Sequence, residues 1–294
     1  MKKDLTKLMD LTKEDILKIL NLADQMKHNL KHGKKEKLLK GKTLAMIFQK
    51  PSTRTRVSFE MGMYQLGGHA LSLNYQDLQL GHGEPVEDTA RSLSRYVDGI
   101  MIRASAQSEV EALANWSSIP VINGLTDYAH PCQVLADLMT IREYTNRLEE
   151  VRLAYIGSGN NVCNSLIVGG LTCGLKISAA IPQGYDPPPS VLDFAKKYPQ
   201  NFNLVRSPRQ AADKAEVLVT DIWGDVDKES FAEFQINRGL LNLADPKAIV
   251  LHCLPAKRGE EITADILEAH AGPIFDEAEN LLHVQKAVMA LLMG

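Results

Sequence analysis

Short apolar runs alternate with amphipathic segments along the first half of the chain. Each short run fits a buried β-strand, and each segment with apolar residues every three or four positions fits a helix packed on one face. The pattern predicts a first helix that begins after a cap at Thr12. Strands are then predicted at residues 43–48, 70–74, 99–103 and 120–123, and helices at 54–66, 88–96, 109–116 and 131–143.

A second alternating series fills the rest of the chain. Its strands are predicted at residues 152–156, 176–180, 216–220 and 248–252, and its helices at 161–172, 190–198 and 276–293. Strands that alternate with helices are typical of parallel sheets. We therefore predict an α/β fold of two doubly wound parallel-sheet domains, with the boundary in the charged stretch 145–150.

Composition narrows the classes of protein that the pattern allows. The 294 residues are 45% hydrophobic and 23% charged, which is enough apolar material for a sizeable core. The net charge of -3 gives no basic field for nucleic acid or an anionic membrane. No apolar stretch reaches the roughly 18–20 residues of a membrane span. We expect no nucleic-acid or membrane partner.

The N-terminal residues and the cysteines favour a cytoplasmic protein. No apolar segment follows Met1-Lys2-Lys3-Asp4, so we expect no secretory signal. The four cysteines (Cys132, Cys163, Cys173 and Cys253) show no spacing typical of metal ligands. Free thiols in a reducing compartment, with no metal and no cofactor, are the simplest interpretation.

The segment Ser52-Thr53-Arg54-Thr55-Arg56 lies between a predicted strand and a predicted helix. A helix N-terminus offers unpaired backbone N–H groups, so hydroxyl and guanidinium groups there are typical of a phosphate site. Arg54 and Arg56 are two positions apart and point to nearly opposite sides of a helix. We expect one to face a ligand and the other to pair with a carboxylate inside the protein. The alternative is an ordinary helix cap with two solvated arginines.

Other polar groups also follow predicted strands, where parallel sheets bind ligands. Arg103 ends one strand, and His130-Pro131-Cys132-Gln133 starts a helix with a proton-carrying ring and an amide. His252-Cys253-Leu254-Pro255 follows another strand. His130 could instead be a buried helix-start residue, and Cys253 could be a nucleophile, a polar clamp or a small buried hydrophobe.

Two further segments end strands in the second half. Gly157-Ser158-Gly159-Asn160-Asn161-Val162 begins like a dinucleotide-binding turn, but Val162 replaces the third glycine. The asparagines fit a ligand carboxylate better, or a tight turn. Asp221 could hold an ammonium group or cap a turn.

These motifs together resemble one family over essentially the whole chain. Their order matches the aspartate/ornithine carbamoyltransferases: Ser52-Thr53-Arg54-Thr55-Arg56, Arg103, His130-Pro131-Cys132-Gln133, Asn160-Asn161, Asp221-Ile222-Trp223 and His252-Cys253-Leu254-Pro255. The thiol in the last motif resembles the ornithine branch. The resemblance implies transfer of a carbamoyl group from carbamoyl phosphate to the side-chain amine of ornithine, which gives citrulline and phosphate for arginine biosynthesis.

The resemblance also implies a role for each matching residue. Arg103, His130 and Cys253 would be catalytic. Carbamoyl phosphate would be bound by Ser52, Thr53, Arg54, Thr55, Gln79, Arg103, His130, Gln133 and Leu254, with Gln79 reaching a neighbouring subunit. Ornithine would be bound by Asn161, Asp221 and Cys253. Arg56 would be structural.

The same resemblance implies the organisation of the chain. Residues 1–147 would form the carbamoyl phosphate-binding domain, on which the closing helix 276–294 packs back, and residues 148–275 the ornithine-binding domain. Interdomain helices would join the two. The assembly would be a homotrimer or a multiple of one.

Two positions depart from the family pattern. A Ser-Met-Gly loop that closes over the amino acid is replaced by Gly224-Asp225-Val226-Asp227-Lys228, and Leu281 stands where the closing helix carries an arginine. Asp225 could bind an ammonium group but would repel a carboxylate. The alternatives are therefore a carbamoyltransferase for another amine, such as putrescine or a modified ornithine, and a weakly catalytic binding or regulatory paralogue.

Overall fold

The computed structural model describes residues 3–294, which divide into two compact units. Unit 1 comprises Met1–Leu135 with Asn280–Gly294, and unit 2 comprises Ala136–Glu279. The domain boundary near residue 147, as read from the sequence, stays a prediction.

Unit 1 is built on a parallel sheet with helices between its strands. The first helix begins after Thr12, whose side chain accepts from the Asp15 backbone N–H at 3.2 Å while the Asp15 carboxylate accepts from the Thr12 N–H at 3.3 Å. The predicted cap is therefore confirmed. In order the elements are α1 (Lys13–Lys31), β1 (Thr43–Phe48), α2 (Thr53–Gln65), β2 (His69–Asn74), α3 (Val86–Leu93), β3 (Gly99–Arg103), α4 (Gln107–Trp116), β4 (Val121–Leu125) and α5 (Pro131–Thr145).

The strand order of this sheet creates one favoured place for a ligand. The order is β2-β1-β3-β4 with every pair parallel. The chain runs from β1 to one side and then returns to place β3 on the other, so the order reverses between β1 and β3. A crevice opens at such a reversal, outside the carboxyl ends of the strands. Phe48 of β1 is paired there with Arg103 of β3.

Unit 2 repeats this architecture. Its elements are β5 (Arg152–Ile156), α6 (Asn161–Thr172), β6 (Lys176–Ala180), α7 (Pro189–Ala195), β7 (Phe202–Val205), α8 (Pro208–Ala212), β8 (Val217–Thr220), α9 (Lys228–Phe231), α10 (Arg238–Leu241), β9 (Ile249–His252), α11 (Ala264–Ala269) and α12 (Ala271–Met293), the last of which continues into unit 1. The strand order is β7-β6-β5-β8-β9, again all parallel. The reversal falls between β5 and β8. The predicted α/β fold of two parallel sheets is confirmed.

Several elements differ from the sequence prediction for physical reasons. β7 was not predicted, because it is a four-residue edge strand that alternates little and stays partly exposed. α12 begins at Ala271 rather than 276, because Pro273 lies in its first turn, where a missing N–H costs nothing. The short helices α8 to α11 are too brief to show a helical period.

The sheets and the helices against them hold the apolar core. Leu44, Met46 and Ile47 of β1 and Ile100 and Ile102 of β3 have no exposed surface. Among residues 3–294 no helix is long and apolar enough to cross a lipid bilayer.

Candidate active site

The first turn of α2 lies at the carboxyl end of β1. Ser52 takes the N-cap position with an extended backbone (φ -153°, ψ 114°), but its hydroxyl makes no capping hydrogen bond. This differs from an ordinary cap, in which the hydroxyl bonds to a backbone N–H of the first turn. Thr55, one turn in, is 2% exposed. Amide groups and a hydroxyl thus remain available at the positive end of the helix dipole.

The two arginines of this turn point to different surroundings, as their spacing predicts. The Arg56 guanidinium pairs with Glu60 on the same helix (Nε to Oε1, 3.0 Å), and both side chains are exposed. The expected pairing of Arg56 with a carboxylate of the protein is therefore confirmed, although the pair lies on the surface of α2 and not in the interior. Arg54 is half-buried and close enough to His130 to affect its pKa.

A separate cavity of about 600 Å³ opens on the Arg56 side. Ser52, Thr53 and Arg56 line it together with Asn74 and Gln76 beside the edge strand β2. The turn therefore has two faces that could receive an anion: the Arg54 face beside His130, and the Arg56 face beside β2.

Gln49 holds the carboxyl ends of β1 and β3 together. Its backbone N–H donates to the Arg103 carbonyl at 3.0 Å, and its side-chain carbonyl accepts from the Ser105 N–H at 2.7 Å. The side-chain amide also donates to Glu109. These bonds fix the backbone on either side of the crevice. Gln49 was not predicted, because a glutamine after a strand carries no signal of its own.

His130 is a neutral imidazole inside a positive environment. It directly precedes α5 and is 6% exposed. Burial, followed by the charges of Arg103 and Arg54, lowers the pKa of His130 to about 3. His130, Arg103 and Arg54, which are all candidate site residues in the sequence, are thus close enough to interact. A neutral imidazole can exchange a hydrogen bond with a carbonyl while the guanidiniums attract an anion. Gln133, one turn along α5, is 3% exposed.

This environment predicts that His130 stays neutral across the physiological range. Its imidazole chemical shifts should not titrate between about pH 5 and 8 in NMR spectra of protein labelled with ¹³C-histidine, whereas an ordinary histidine titrates near 6.5. A His130→Gln variant identifies the signal. A midpoint near pH 6.5 would contradict this assignment.

The same pKa sets a direction for stability. In the unfolded chain His130 binds its proton near pH 6.5, whereas in the folded protein it does so only near pH 3. The contribution of His130 to the free energy of unfolding is therefore complete above pH 6.5 and is lost as the pH falls toward 3. Relative to His130→Gln, the wild-type chain should lose up to about 1.4 kcal/mol of unfolding free energy per pH unit in that window, measured by urea denaturation.

Gln79 comes after β2, which is separated by β1 from the strand that carries Arg103. It is exposed in the short 3₁₀ helix Gln79–His82, which follows the edge strand β2. A reach into a neighbouring subunit, which the family resemblance implies, stays a prediction.

Asp221 is the centre of a hydrogen-bonded chain at the reversal point of unit 2. It follows β8, is 7% exposed, and accepts from the Asn160 side-chain amide at 2.8 Å and from the Cys253 thiol at 3.1 Å. The Asn160 carbonyl in turn accepts from the Tyr155 hydroxyl at 3.2 Å. One oxygen of Asp221 also accepts from its neighbour's backbone N–H at 2.8 Å. This chain fixes a carboxylate and a thiol side by side.

The two asparagines take different positions at the start of α6. Asn160 caps α6 by accepting from the backbone N–H groups of Val162 and Cys163, so turn chemistry accounts for it. Asn161 is the first residue of α6 and is half-buried. The glycine before them serves packing, since a Cβ at Gly159 would lie 2.3 Å from the Pro187 nitrogen. That close approach explains the resemblance to a dinucleotide turn.

Cys253 is held as a protonated thiol. Burial, then the negative charges of Asp221 and Glu277, raise the pKa of Cys253 well above its ordinary value. Since the thiolate is the nucleophilic form, this environment opposes a covalent role and favours a polar clamp.

We therefore expect Cys253→Ser to keep substantial turnover, within about 10-fold of wild type, because a hydroxyl can still donate to Asp221. The measurement is product formation at saturating substrate, with Cys173→Ser as the control. Loss of turnover by about 10⁴ or more, as expected for removal of a nucleophile, would restore the covalent role.

A buried histidine–carboxylate pair fixes the turn that follows β9. His252 donates from Nε2 to Glu261 at 2.9 Å and accepts from the Leu254 N–H at Nδ1, also at 2.9 Å. Glu277 accepts from the His252 backbone N–H at 2.9 Å. Leu254 adopts φ 54°, a left-handed conformation that costs about 1–2 kcal/mol for a non-glycine residue. Glu261 and Glu277 were missed, because distant carboxylates in a sequence do not reveal their partners.

One group of side chains has the composition of a metal site. Ligand atoms of Asp221, His252 and Cys253 lie within 4.8 Å of one another. Both ring nitrogens of His252 already make hydrogen bonds, however, so this imidazole has no lone pair to offer a cation.

Fold and site together define a class: a two-domain parallel α/β enzyme with polar residues at both strand-order reversals. The first domain of the aspartate/ornithine carbamoyltransferases, the carbamoyl-P binding domain, matches residues 3–143, and their Asp/Orn binding domain matches residues 149–292. The chain therefore belongs to the aspartate/ornithine carbamoyltransferase family.

Individual relatives are similar over nearly their whole length. The ornithine carbamoyltransferase of Thermococcus kodakarensis is 50% identical to the chain, and the match covers 99% of this chain and 96% of that protein. The ornithine carbamoyltransferase of Syntrophotalea carbinolica is also 50% identical, and the match covers all of both chains. The structure of ornithine carbamoyltransferase from Pyrococcus furiosus superposes with a TM-score of 0.95 at 48% identity, covering 99% of this chain and 97% of that one.

Proposed function

We propose that the chain is an ornithine carbamoyltransferase, which makes citrulline and phosphate from carbamoyl phosphate and ornithine in arginine synthesis. The observation that carries this proposal is the grouping of Arg54 and Arg103 around a neutral His130 at the reversal point of unit 1. The two guanidinium groups can bind a phosphate, and the neutral imidazole beside them can form a hydrogen bond with a carbamoyl group joined to that phosphate. The relatives are named ornithine carbamoyltransferases, and this name identifies ornithine as the amine that attacks the carbamoyl group.

The domain assignment follows the two matched family domains. Residues 1–147, with the helix 276–294, would bind carbamoyl phosphate, and residues 148–275 would bind ornithine. Lys27 donates to Asn280 at 2.7 Å within unit 1, which supports a closing helix packed on the first domain.

On the carbamoyl phosphate side, the phosphate would lie at the first turn of α2. Ser52, Thr53, Arg54 and Thr55 would hold it through hydroxyls, amides and the guanidinium, with Arg103 opposite. His130 and Gln133 would bind the carbamoyl oxygen and nitrogen. Leu254 and Gln79 would complete the set.

On the amine side, Asp221, Cys253 and Asn161 would orient ornithine. The neutral amine attacks the carbamoyl carbon, a tetrahedral oxyanion forms, and phosphate leaves. Arg103, Thr55 and His130 would stabilise the negative charge, and Asp221 would help the amine to lose its proton. No covalent step is needed, which agrees with the protonated thiol of Cys253.

Assembly and location complete the proposal. We infer a homotrimer, or a multiple of one. Exposed apolar residues beside an unpaired sheet edge support association: Leu71 on the edge strand β2 is 41% exposed and Val57 on α2 is 52% exposed. A cytoplasmic location fits the four free cysteines.

A single assay tests the function. Purified protein with carbamoyl phosphate is supplied with ornithine, putrescine, N-acetylornithine or aspartate, and phosphate and carbamoylated product are measured. We expect turnover to be highest with ornithine. Highest turnover with putrescine would replace the proposed substrate. Carbamoyl phosphate binding without turnover of any amine would leave a binding protein only.

A further inference from the structure

A second cavity, of about 650 Å³, lies in unit 1 among α1, α2, the 34–37 segment and α12. Its charged lining consists of Lys34, Lys35, Lys37, Lys286 and Glu36, and its apolar lining includes Met26, Leu30, Met61 and Tyr64. Four lysines against one glutamate give this lining a net positive charge. None of these residues belongs to the proposed carbamoyl phosphate or ornithine sites.

Lys286 distinguishes this cavity from a patch of surface lysines. It lies on α12, is 3% exposed, and lines the cavity. Within residues 3–294 its ammonium group makes no hydrogen bond and no ion pair. Lys27, also buried at 8% exposure, donates instead to Asn280 at 2.7 Å. The Lys286 side chain is largely withdrawn from water and borders the cavity, so an anion bound there would stabilise its charged form more directly than Glu36 does.

The stem of Lys286 is fixed by close packing. A Cβ at Gly62 of α2 would lie 3.3 Å from the Lys286 Cγ, so α2 and α12 meet at a residue without a side chain. The methylenes of Lys286 therefore run along α2 while the charged end is left to the cavity. Burial lowers the pKa of Lys286, and the charge of Glu36 opposes that shift.

The rest of the lining is also organised. Glu36 is held by the Asn29 side-chain amide at 2.8 Å, which orients the 34–37 segment. Gly67, at φ 82°, would place a Cβ 3.2 Å from the Lys37 Cβ, so the turn after α2 packs directly on this segment. The Gln65 carbonyl oxygen is buried without a hydrogen-bond partner among the described residues and belongs to the same lining.

We propose that this cavity binds an organic phosphate whose charged end pairs with Lys286 and the lysines of the 34–37 segment. Its apolar or aromatic body would lie against Met26, Met61 and Tyr64. The charge of the lining selects an anion with more than one negative charge, and the apolar wall selects against bare phosphate.

Labelling with pyridoxal 5′-phosphate tests this directly, because the probe is an aromatic phosphate whose aldehyde forms an imine with an amine. After borohydride reduction, peptide mass spectrometry reports which lysines are modified. We expect the lysines of the lining (Lys34, Lys35, Lys37 and Lys286) to be modified at least about 10-fold faster than the exposed, surface-paired Lys196, and ATP to slow this modification. Pyrophosphate should protect less well than ATP.

Three results would overturn the proposal: equal modification of lysines outside the cavity, modification of the lining lysines that ATP does not slow, or unmodified lining lysines while Lys196 reacts. Direct ATP binding by calorimetry provides the second measurement. Lys286→Met keeps the apolar stem and should weaken binding at least about 10-fold, whereas Lys196→Met should not change it.

The double variant Lys34→Met/Lys35→Met, on exposed positions, covers the case in which Lys286→Met fails to fold. It should weaken ATP binding by about 3-fold or more, and unchanged binding would contradict the site. Lys286, Lys34 and Lys35 lie outside the proposed catalytic site, so these variants should still form citrulline. Citrulline formation measured in parallel therefore tests the proposed function independently of ATP binding.

Discussion

Replacing Arg54 with alanine is expected to remove most of the binding energy for carbamoyl phosphate while the fold is kept. Truncating one partner of a desolvated, hydrogen-bonded charge pair costs about 2–5 kcal/mol, or roughly 30- to 5,000-fold in affinity. Arg54 is half-buried beside His130, so a ligand there would be partly shielded from water. The measurement is carbamoyl phosphate affinity by calorimetry, with circular dichroism to verify the fold.

The two arginines of the turn offer a matched control. Arg54→Lys and Arg56→Lys make the same chemical change two positions apart, and each removes a planar fork while keeping the charge. We expect the first to weaken carbamoyl phosphate binding at least about 10-fold and the second by less than about 2-fold, since a lysine can still pair with Glu60. The reverse order would place the phosphate in the cavity on the Arg56 side.

Replacing Asp221 with asparagine is the second change with a large expected effect. The substitution removes the charge that would attract an amine and puts an NH₂ group where the carboxylate accepts from Asn160 or Cys253. Loss of a transition-state interaction of this kind lowers turnover by about 10²–10³. Steady-state kinetics with ornithine provide the measurement, and kcat/KM should fall more than the affinity for carbamoyl phosphate.

Asp265→Asn is the control for that change. Asp265 is an exposed carboxylate of unit 2 paired with Arg238 at 3.3 Å, so its loss should alter turnover by less than about 2-fold. A double-mutant cycle of Asp221→Asn and Cys253→Ala then measures the energetic coupling between the Asp221 carboxylate and the Cys253 thiol. Additive losses would show that Cys253 does not act through Asp221.

The sequence predicts the central strands well because they are buried on both faces. β5, α6 and β6 were predicted with the bounds that the structure has, since continuous apolar runs between clear turns leave few alternatives. Edge strand β7 and the short helices α9 and α10 were missed. Their positions depend on contacts with distant parts of the chain, which no local pattern encodes.

The candidate site residues can be picked out from the sequence, whereas the residues that hold them in place cannot. Arg103, Asp221 and Cys253 stand out because polar groups end apolar strands. Gln49, Glu261 and Glu277, which hold those strand ends by hydrogen bonds, have no such signature. The protonated state of Cys253 also needed three dimensions, because the nearby carboxylates come from separate segments.

The left-handed backbone of Leu254 has a steric cost that a glycine at the same position would not have. Glycine adopts φ 54° without steric cost, whereas leucine does not. A library of variants at position 254 selected only for heat resistance should therefore be enriched in glycine and asparagine. The same library selected for citrulline formation should keep leucine, because the backbone carbonyl is common to every variant and only the side chain distinguishes them. Comparing the two enriched populations would show how much stability this turn gives up for chemistry.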